Sequence, residues 1–121
     1  ENTRRFRRAA VYGANPSRLI SYASAEKPGS RADYVRFRDF MWASLLASPV
    51  CYAEKIDAPL LVLHGMEDLD APVEGAHQLF IAVKDTHPDV RTRIALFPRS
   101  GHELPAQKAA FLTEITRWLA E

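Results

Sequence analysis

The run Ala58 to His64, APLLVLH, carries no polar side chain before its last position, and Gly65 closes it. A short run that is apolar on both faces and bounded by Pro and Gly fits a strand buried between two layers. Two further runs share the pattern: Arg8 to Ala14 (RAAVYGA), ended by Asn15-Pro16, and Thr92 to Phe97 (TRIALF), ended by Pro98. Between and after them the period changes. Val73, Ala76, Leu79, Phe80 and Val83 fall on one face of a helix from about Pro72 to Lys84. Phe111, Ile115, Trp118 and Leu119 do the same in a carboxy-terminal helix starting near Pro105, a residue suited to a first turn. Tyr34, Phe37, Phe40, Met41, Leu45 and Leu46 mark another helix, beginning after Gly29-Ser30. The order strand, loop, helix, strand, helix, strand, helix predicts an α/β chain of about three parallel strands with right-handed crossovers.

Composition removes several function classes. With 121 residues, 47% hydrophobic and 26% charged, the chain fits one domain at most and can build a core without metal or disulfide help. A net charge of +1 argues against nucleic acid as the main partner, since phosphate-dominated binding wants a clear basic excess. The apolar runs fall far short of the roughly 20 residues that a membrane-spanning helix needs, so no membrane partner is expected. Cys51, the one cysteine, excludes an internal disulfide and agrees with a reducing, cytoplasmic compartment. Arg4, Arg5, Arg7 and Arg8 form the only basic cluster and read as a solvated flank ahead of the first strand. No metal-ligand spacing connects the four histidines, and neither metal nor cofactor is expected.

Three parallel strands make a small sheet, and the first would have one side unpaired, an aggregation hazard. The chain also opens at Glu1 and reaches its first strand at once. Residues 1–121 are therefore expected to be the carboxy-terminal part of a larger α/β domain. The competing expectation is a small complete domain whose edge is covered by a second copy.

In open parallel sheets functional groups collect in loops at the carboxyl ends of strands. After the second run come His64-Gly65-Met66-Glu67-Asp68-Leu69-Asp70-Ala71-Pro72, and after the third come Pro98-Arg99-Ser100-Gly101-His102-Glu103. The two loops share one edge of the sheet, so an acid in the first can meet His102 in the second. A carboxylate that fixes an imidazole's tautomer and stabilises its cation, beside a nucleophile, is the logic of a hydrolytic triad. In α/β-hydrolases the triad runs Ser, Asp, His along the chain; the order here matches its last two members.

The segment SPVCYAEKIDAPLLVLHGMEDLDAPVEGAHQLF, Ser48 to Phe80, followed by LFPRSGHE, Leu96 to Glu103, resembles the carboxy-terminal part of the catalytic domain of the prolyl oligopeptidase family. The likeness is greatest to its acylaminoacyl-peptidase-like branch. Ser48-Pro49, the strand end Pro59 to Gly65, Asp68 three residues after Gly65, and Gly101-His102 carry it. Residues 48 to 120 match most clearly, Thr3 to Val11 also resemble a family segment, and residues 15 to 47 match weakly.

The resemblance implies an α/β-hydrolase fold, with Asp68 as the triad acid and His102 as the base. Asp70 is the competing acid, but its place before Pro72 suits a turn or helix-capping role. His64 reads as a packed strand-end histidine bonded to backbone, and His77 and His87 as surface residues. The nucleophile motif Gly-x-Ser-x-Gly occurs nowhere in the chain. Ser100 lies in the loop that delivers the base, and Cys51 lies near a helix end, so neither sits on a nucleophile elbow.

The family places its serine and oxyanion donors upstream of the strand near Arg8. An amino-terminal segment carrying the nucleophile is therefore the expected partner, and the 121 residues alone are expected to be inactive. The implied substrate is a short peptide or acyl-peptide, and Tyr22, Tyr34, Phe37, Phe40 and Trp42 could line its pocket, although aromatics at helical spacing are more often core. The alternatives are an esterase or other acyl hydrolase of the same fold, or a noncatalytic binding or dimerisation module.

Overall fold

The computed structural model describes residues 7–13, 39, 42–43, 46–103 and 107–121. Three parallel strands, β1 (Ala9–Tyr12), β2 (Leu60–Gly65) and β3 (Thr92–Phe97), form a sheet in the order β1-β2-β3. A kinked 3₁₀ helix, Pro49–Lys55, leads into β2. Helix α1 (Val73–Thr86) connects β2 to β3, and α2 (Lys108–Ala120) follows β3. Because all strands run the same way, their carboxyl ends Tyr12, Gly65 and Phe97 lie along one edge.

β2 is buried at every position, as its unbroken apolar run predicts, because it is paired on both sides and covered on both faces. Alternate residues divide between the two faces. Leu60 and Val62 pack with Ala53, Ala76, Leu79 and Val83 under α1 and the 3₁₀ helix, whereas Leu61 and Leu63 pack with Phe97 and Trp118 under α2. β1 and β3 are only partly buried, as the outer strands of the described sheet.

Most boundaries agree with the periodicity to within two or three residues. The 3₁₀ helix is an element that the apolar periodicity does not predict, and it begins at the Ser48-Pro49 motif. The helix expected after Gly29-Ser30 lies largely outside the described residues, although Asp39, Trp42, Ala43 and Leu46 are helical. Pro105 also lies outside them, and α2 is described from Lys108. Among the described residues no helix is long and apolar enough to cross a membrane.

One expectation needs correction. Arg8 is not a solvated flank residue: Nη1 donates to the Trp118 carbonyl at 2.6 Å, and the guanidinium lies 6.0 Å from the indole centroid. The indole Nε1 in turn donates to the Ala9 carbonyl at 2.9 Å. A charged side chain that leads directly into a strand is thereby used to fasten α2 to β1. Arg7 is exposed, as expected, and Arg4 and Arg5 lie outside the described residues.

Candidate active site

The loops after β2 and β3 are joined by backbone hydrogen bonds beyond the ends of the strands. Met66 N–H donates to Phe97 O at 3.0 Å, and Glu67 N–H donates to Ser100 O at 2.9 Å. Gly65 permits this approach. A Cβ at that position would stand 2.3 Å from Ser100 O and 2.4 Å from Gly101 O, both backbone atoms without rotameric freedom to yield. Gly65→Ala is therefore expected to push the β3 loop away and destabilise the fold by about 1–3 kcal/mol, the usual cost of overpacking. Urea unfolding checks this, and an unchanged midpoint would show that the loops are not clamped here.

Asp68 and His102, 34 positions apart, meet across this junction: His102 Nδ1 donates to Asp68 Oδ2 at 2.9 Å. The Asp68 side chain is fully buried, while the imidazole is 46% exposed. The other carboxylate oxygen has a separate task. Oδ1 accepts the backbone N–H of Asp70 at 2.9 Å and of Ala71 at 2.8 Å, closing the turn that leads into α1. One side chain thus holds its own loop with one oxygen and addresses the imidazole with the other. The turn-forming role expected of Asp70 belongs to Asp68, because only Asp68 points inward under the loop; Asp70 is exposed and contributes its N–H.

These contacts set the charges. Burial pushes the Asp68 carboxyl upward, but hydrogen bonds from Ala71 N–H, His102 and Asp70 N–H outweigh it and hold the group below its ordinary 3.8. The hydrogen bond and negative charge of Asp68 hold the His102 imidazole above its ordinary 6.5 against the opposing effect of burial, with lesser support from Asp70 and Glu103. Asp68 is therefore ionised near neutral pH. With Nδ1–H committed to Asp68, the neutral ring carries its lone pair on Nε2, the arrangement required of a general base.

His64 is buried, and its Nε2 donates to Ala71 O at 2.6 Å, in agreement with the expected strand-end packing. Its Nε2 also lies 3.3 Å from Asp68 Oδ2, a contact that the sequence did not suggest. His77 is exposed, as expected. His87 is partly buried, and its Nε2 donates to Glu54 O at 2.9 Å, so it tethers the end of α1 to the 3₁₀ helix. Ser100 is buried within the loop and Cys51 is exposed.

Asp68, Asp70 and His102 offer ligand atoms within 4.8 Å of one another. The oxygens of Asp68 already accept from two amides and an imidazole N–H. Of the aromatics read as core residues or as pocket lining, Tyr22, Tyr34, Phe37 and Phe40 lie outside the described residues, and Trp42 is exposed.

The family model for the prolyl oligopeptidase family matches residues 17–121. The chain belongs to that family. It is 40% identical over 76 residues to the uncharacterized peptidase YuxL of Bacillus subtilis (strain 168), covering 59% of this chain and 11% of that protein. It is 30% identical over 83 residues to the human acylamino-acid-releasing enzyme, covering 65% of this chain and 11% of that one. The chain thus spans about a tenth of the length of these relatives. The acylaminoacyl peptidase of Pyrococcus horikoshii superposes with a TM-score of 0.70 at 19% identity, covering 99% of this chain and 21% of that chain. The fold of this family member is that of the α/β-hydrolases.

Sequence reasoning overlooked Tyr12 and the space beside Gly13. The Tyr12 hydroxyl donates to Gly101 O at 3.2 Å and also to His102 O. A usable signal was present, since Tyr12-Gly13 ends a parallel strand on the same edge as the acid and base loops.

Proposed function

We propose that this chain supplies the acid and the base of a serine-type peptide hydrolase, with Asp68 and His102 in those roles. The nucleophilic serine and the oxyanion donors belong to a segment outside these 121 residues. The observation that carries the reading is the 2.9 Å bond from His102 Nδ1 to the buried Asp68 carboxylate at the carboxyl edge of the sheet.

In this reading Nε2 of His102 takes the serine proton as the serine oxygen attacks the scissile carbonyl. The imidazolium, stabilised by Asp68, then returns the proton to the departing amine. Water repeats the sequence on the acyl-enzyme, with His102 again as base, and regenerates the serine. Membership of the prolyl oligopeptidase family and similarity to a peptidase and to an acylamino-acid-releasing enzyme support a short peptide or N-acylated peptide as substrate.

A fluorophosphonate probe tests this in the full-length protein. Labelling of one serine is expected, and His102→Ala is expected to slow it by at least about 10³-fold, because the serine is then left without its base. Equal labelling in both proteins, or none in either, would overturn the assignment.

A further inference from the structure

β1 ends beside the base rather than merely beneath it. The Tyr12 hydroxyl donates to the carbonyl oxygens of Gly101 and His102, and its ring stands edge-on to Phe111 of α2, with centroids 4.9 Å apart and planes at 66°. The next residue, Gly13, lies against the imidazole itself. A Cβ there would be 3.4 Å from His102 Cε1 and 3.6 Å from Nδ1, and the glycine holds a φ of +56° that other residues rarely adopt.

The imidazole needs such support. With 46% of its side chain exposed, packing alone does not fix it, and one bond to Asp68 leaves the ring free to pivot about that contact. A second constraint on the backbone of His102 limits this freedom by fixing the point from which the side chain extends. Phe111 fixes the phenol ring from α2, and β1 fixes its backbone through the ladder to β2, in which Tyr12 is opposite Leu63.

We infer that Tyr12 is a positioning residue for His102: its hydroxyl fixes the backbone of the loop that carries the base, so that Nδ1 meets Asp68 and Nε2 is held toward the nucleophile. This rests on the acid–base reading given above. Burial, together with the nearby charges of Asp68 and Glu103, holds the phenol above its ordinary 10.0, so the hydroxyl remains a donor throughout the range in which His102 titrates. The charged groups acting on His102 are Asp68, Asp70 and Glu103, and none of them is altered by removing a neutral hydroxyl.

The test is an NMR titration of the His102 imidazole nitrogens in the full chain, for the wild type, Tyr12→Phe, Phe111→Leu and Asp68→Asn. It is joined to kcat and KM measured in the full-length protein. Tyr12→Phe keeps the ring against Phe111. It is expected to lower the His102 midpoint toward 6.5, weaken the low-field Nδ1–H signal, and reduce kcat about tenfold at unchanged KM. Phe111→Leu, which leaves the hydroxyl but loosens the ring, is expected to shift the same signals less.

If Tyr12→Phe and Phe111→Leu both titrate as the wild type while Asp68→Asn shifts the midpoint, the inference fails and the acid–base pair stands. A lowered melting temperature with an unshifted His102 midpoint would make Tyr12 merely structural and would also overturn it. If Asp68→Asn itself leaves the midpoint unmoved, the pair is wrong and the inference falls with it.

Discussion

In the acid role proposed for it, Asp68→Asn is expected to lower kcat/KM of the full-length protein by about four orders of magnitude while leaving the fold in place, as the same exchange does in a serine triad. The size follows from hydrogen-bond polarity. The amide oxygen of Asn can still accept from Asp70 N–H and Ala71 N–H, so the turn into α1 survives. The other carboxylate oxygen becomes an NH₂ group that faces His102 Nδ1–H at 2.9 Å, with His64 Nε2–H at 3.3 Å. Donor then faces donor. The His102 ring must take the opposite tautomer, with its proton on Nε2, and it can no longer deprotonate a serine.

The pH profile should change as well. With His102 as the proposed base its neutral form is the active one, so wild-type kcat/KM is expected to rise with pH through a midpoint above 6.5, and the residual activity of Asp68→Asn through a lower one. Stability is linked to the same two shifts. The raised imidazole pKa contributes stability below pH 6.5 that is lost as pH rises through the folded-state value. The lowered Asp68 pKa contributes stability above pH 3.8 that is lost as pH falls through its folded-state value. A variant with wild-type activity would exclude Asp68 as the acid and return attention to Asp70.

Much of the site was legible because a parallel sheet converts chain order into position. Once APLLVLH and TRIALF were read as strands, Asp68 and His102 had to lie on one edge, whatever the details of the loops. What could not be read was which oxygen of Asp68 does what. That depends on the turn turning the carboxylate inward beneath Asp70 and Ala71, and a turn signal such as Asp-Leu-Asp-Ala-Pro allows either aspartate to be the one enclosed. Tyr12 was hidden for a different reason. A tyrosine in an apolar run is read for its ring, and its hydroxyl acquires a purpose only when a loop from 89 or 90 positions away is laid across it.

The fold shows the same division. Alternation along Leu60 to Leu63 assigns side chains to two faces but does not say which helix covers which face. The crossover helix α1 covers Leu60 and Val62, and the carboxy-terminal α2 covers Leu61 and Leu63. The 3₁₀ helix at Pro49–Lys55 has no apolar period to announce it, being held by its Pro start and by Ala53 packing under the sheet. Arg8 failed as a surface residue because its partner, the Trp118 carbonyl, lies 110 positions along the chain at the end of a helix where carbonyls lack partners of their own.

That distant contact carries the largest expected effect on stability. Trp118→Ala should cost about 3–5 kcal/mol, the range for removing a large buried aromatic, and a loss of that size is a large share of the roughly 5–15 kcal/mol that keeps a protein folded. The indole is 1% exposed and packs with Leu61, Leu63 and Phe97, so its removal opens a cavity against the central strand rather than at a margin. Its Nε1–H also leaves Ala9 O without that donor, and Arg8 and Arg91, whose guanidinium lies 4.9 Å from the ring centroid, lose the surface that they stack upon. Trp118→Phe separates these contributions, since it keeps most of the apolar area and removes the N–H; its expected cost is about 1 kcal/mol for the bond, plus the smaller ring's packing loss. Urea unfolding of the three proteins measures both differences. If Trp118→Ala loses less than 1 kcal/mol, α2 is not what seals this face of the sheet. The consequence would reach the site, because α2 also carries the Phe111 ring that holds Tyr12 against the loop of His102.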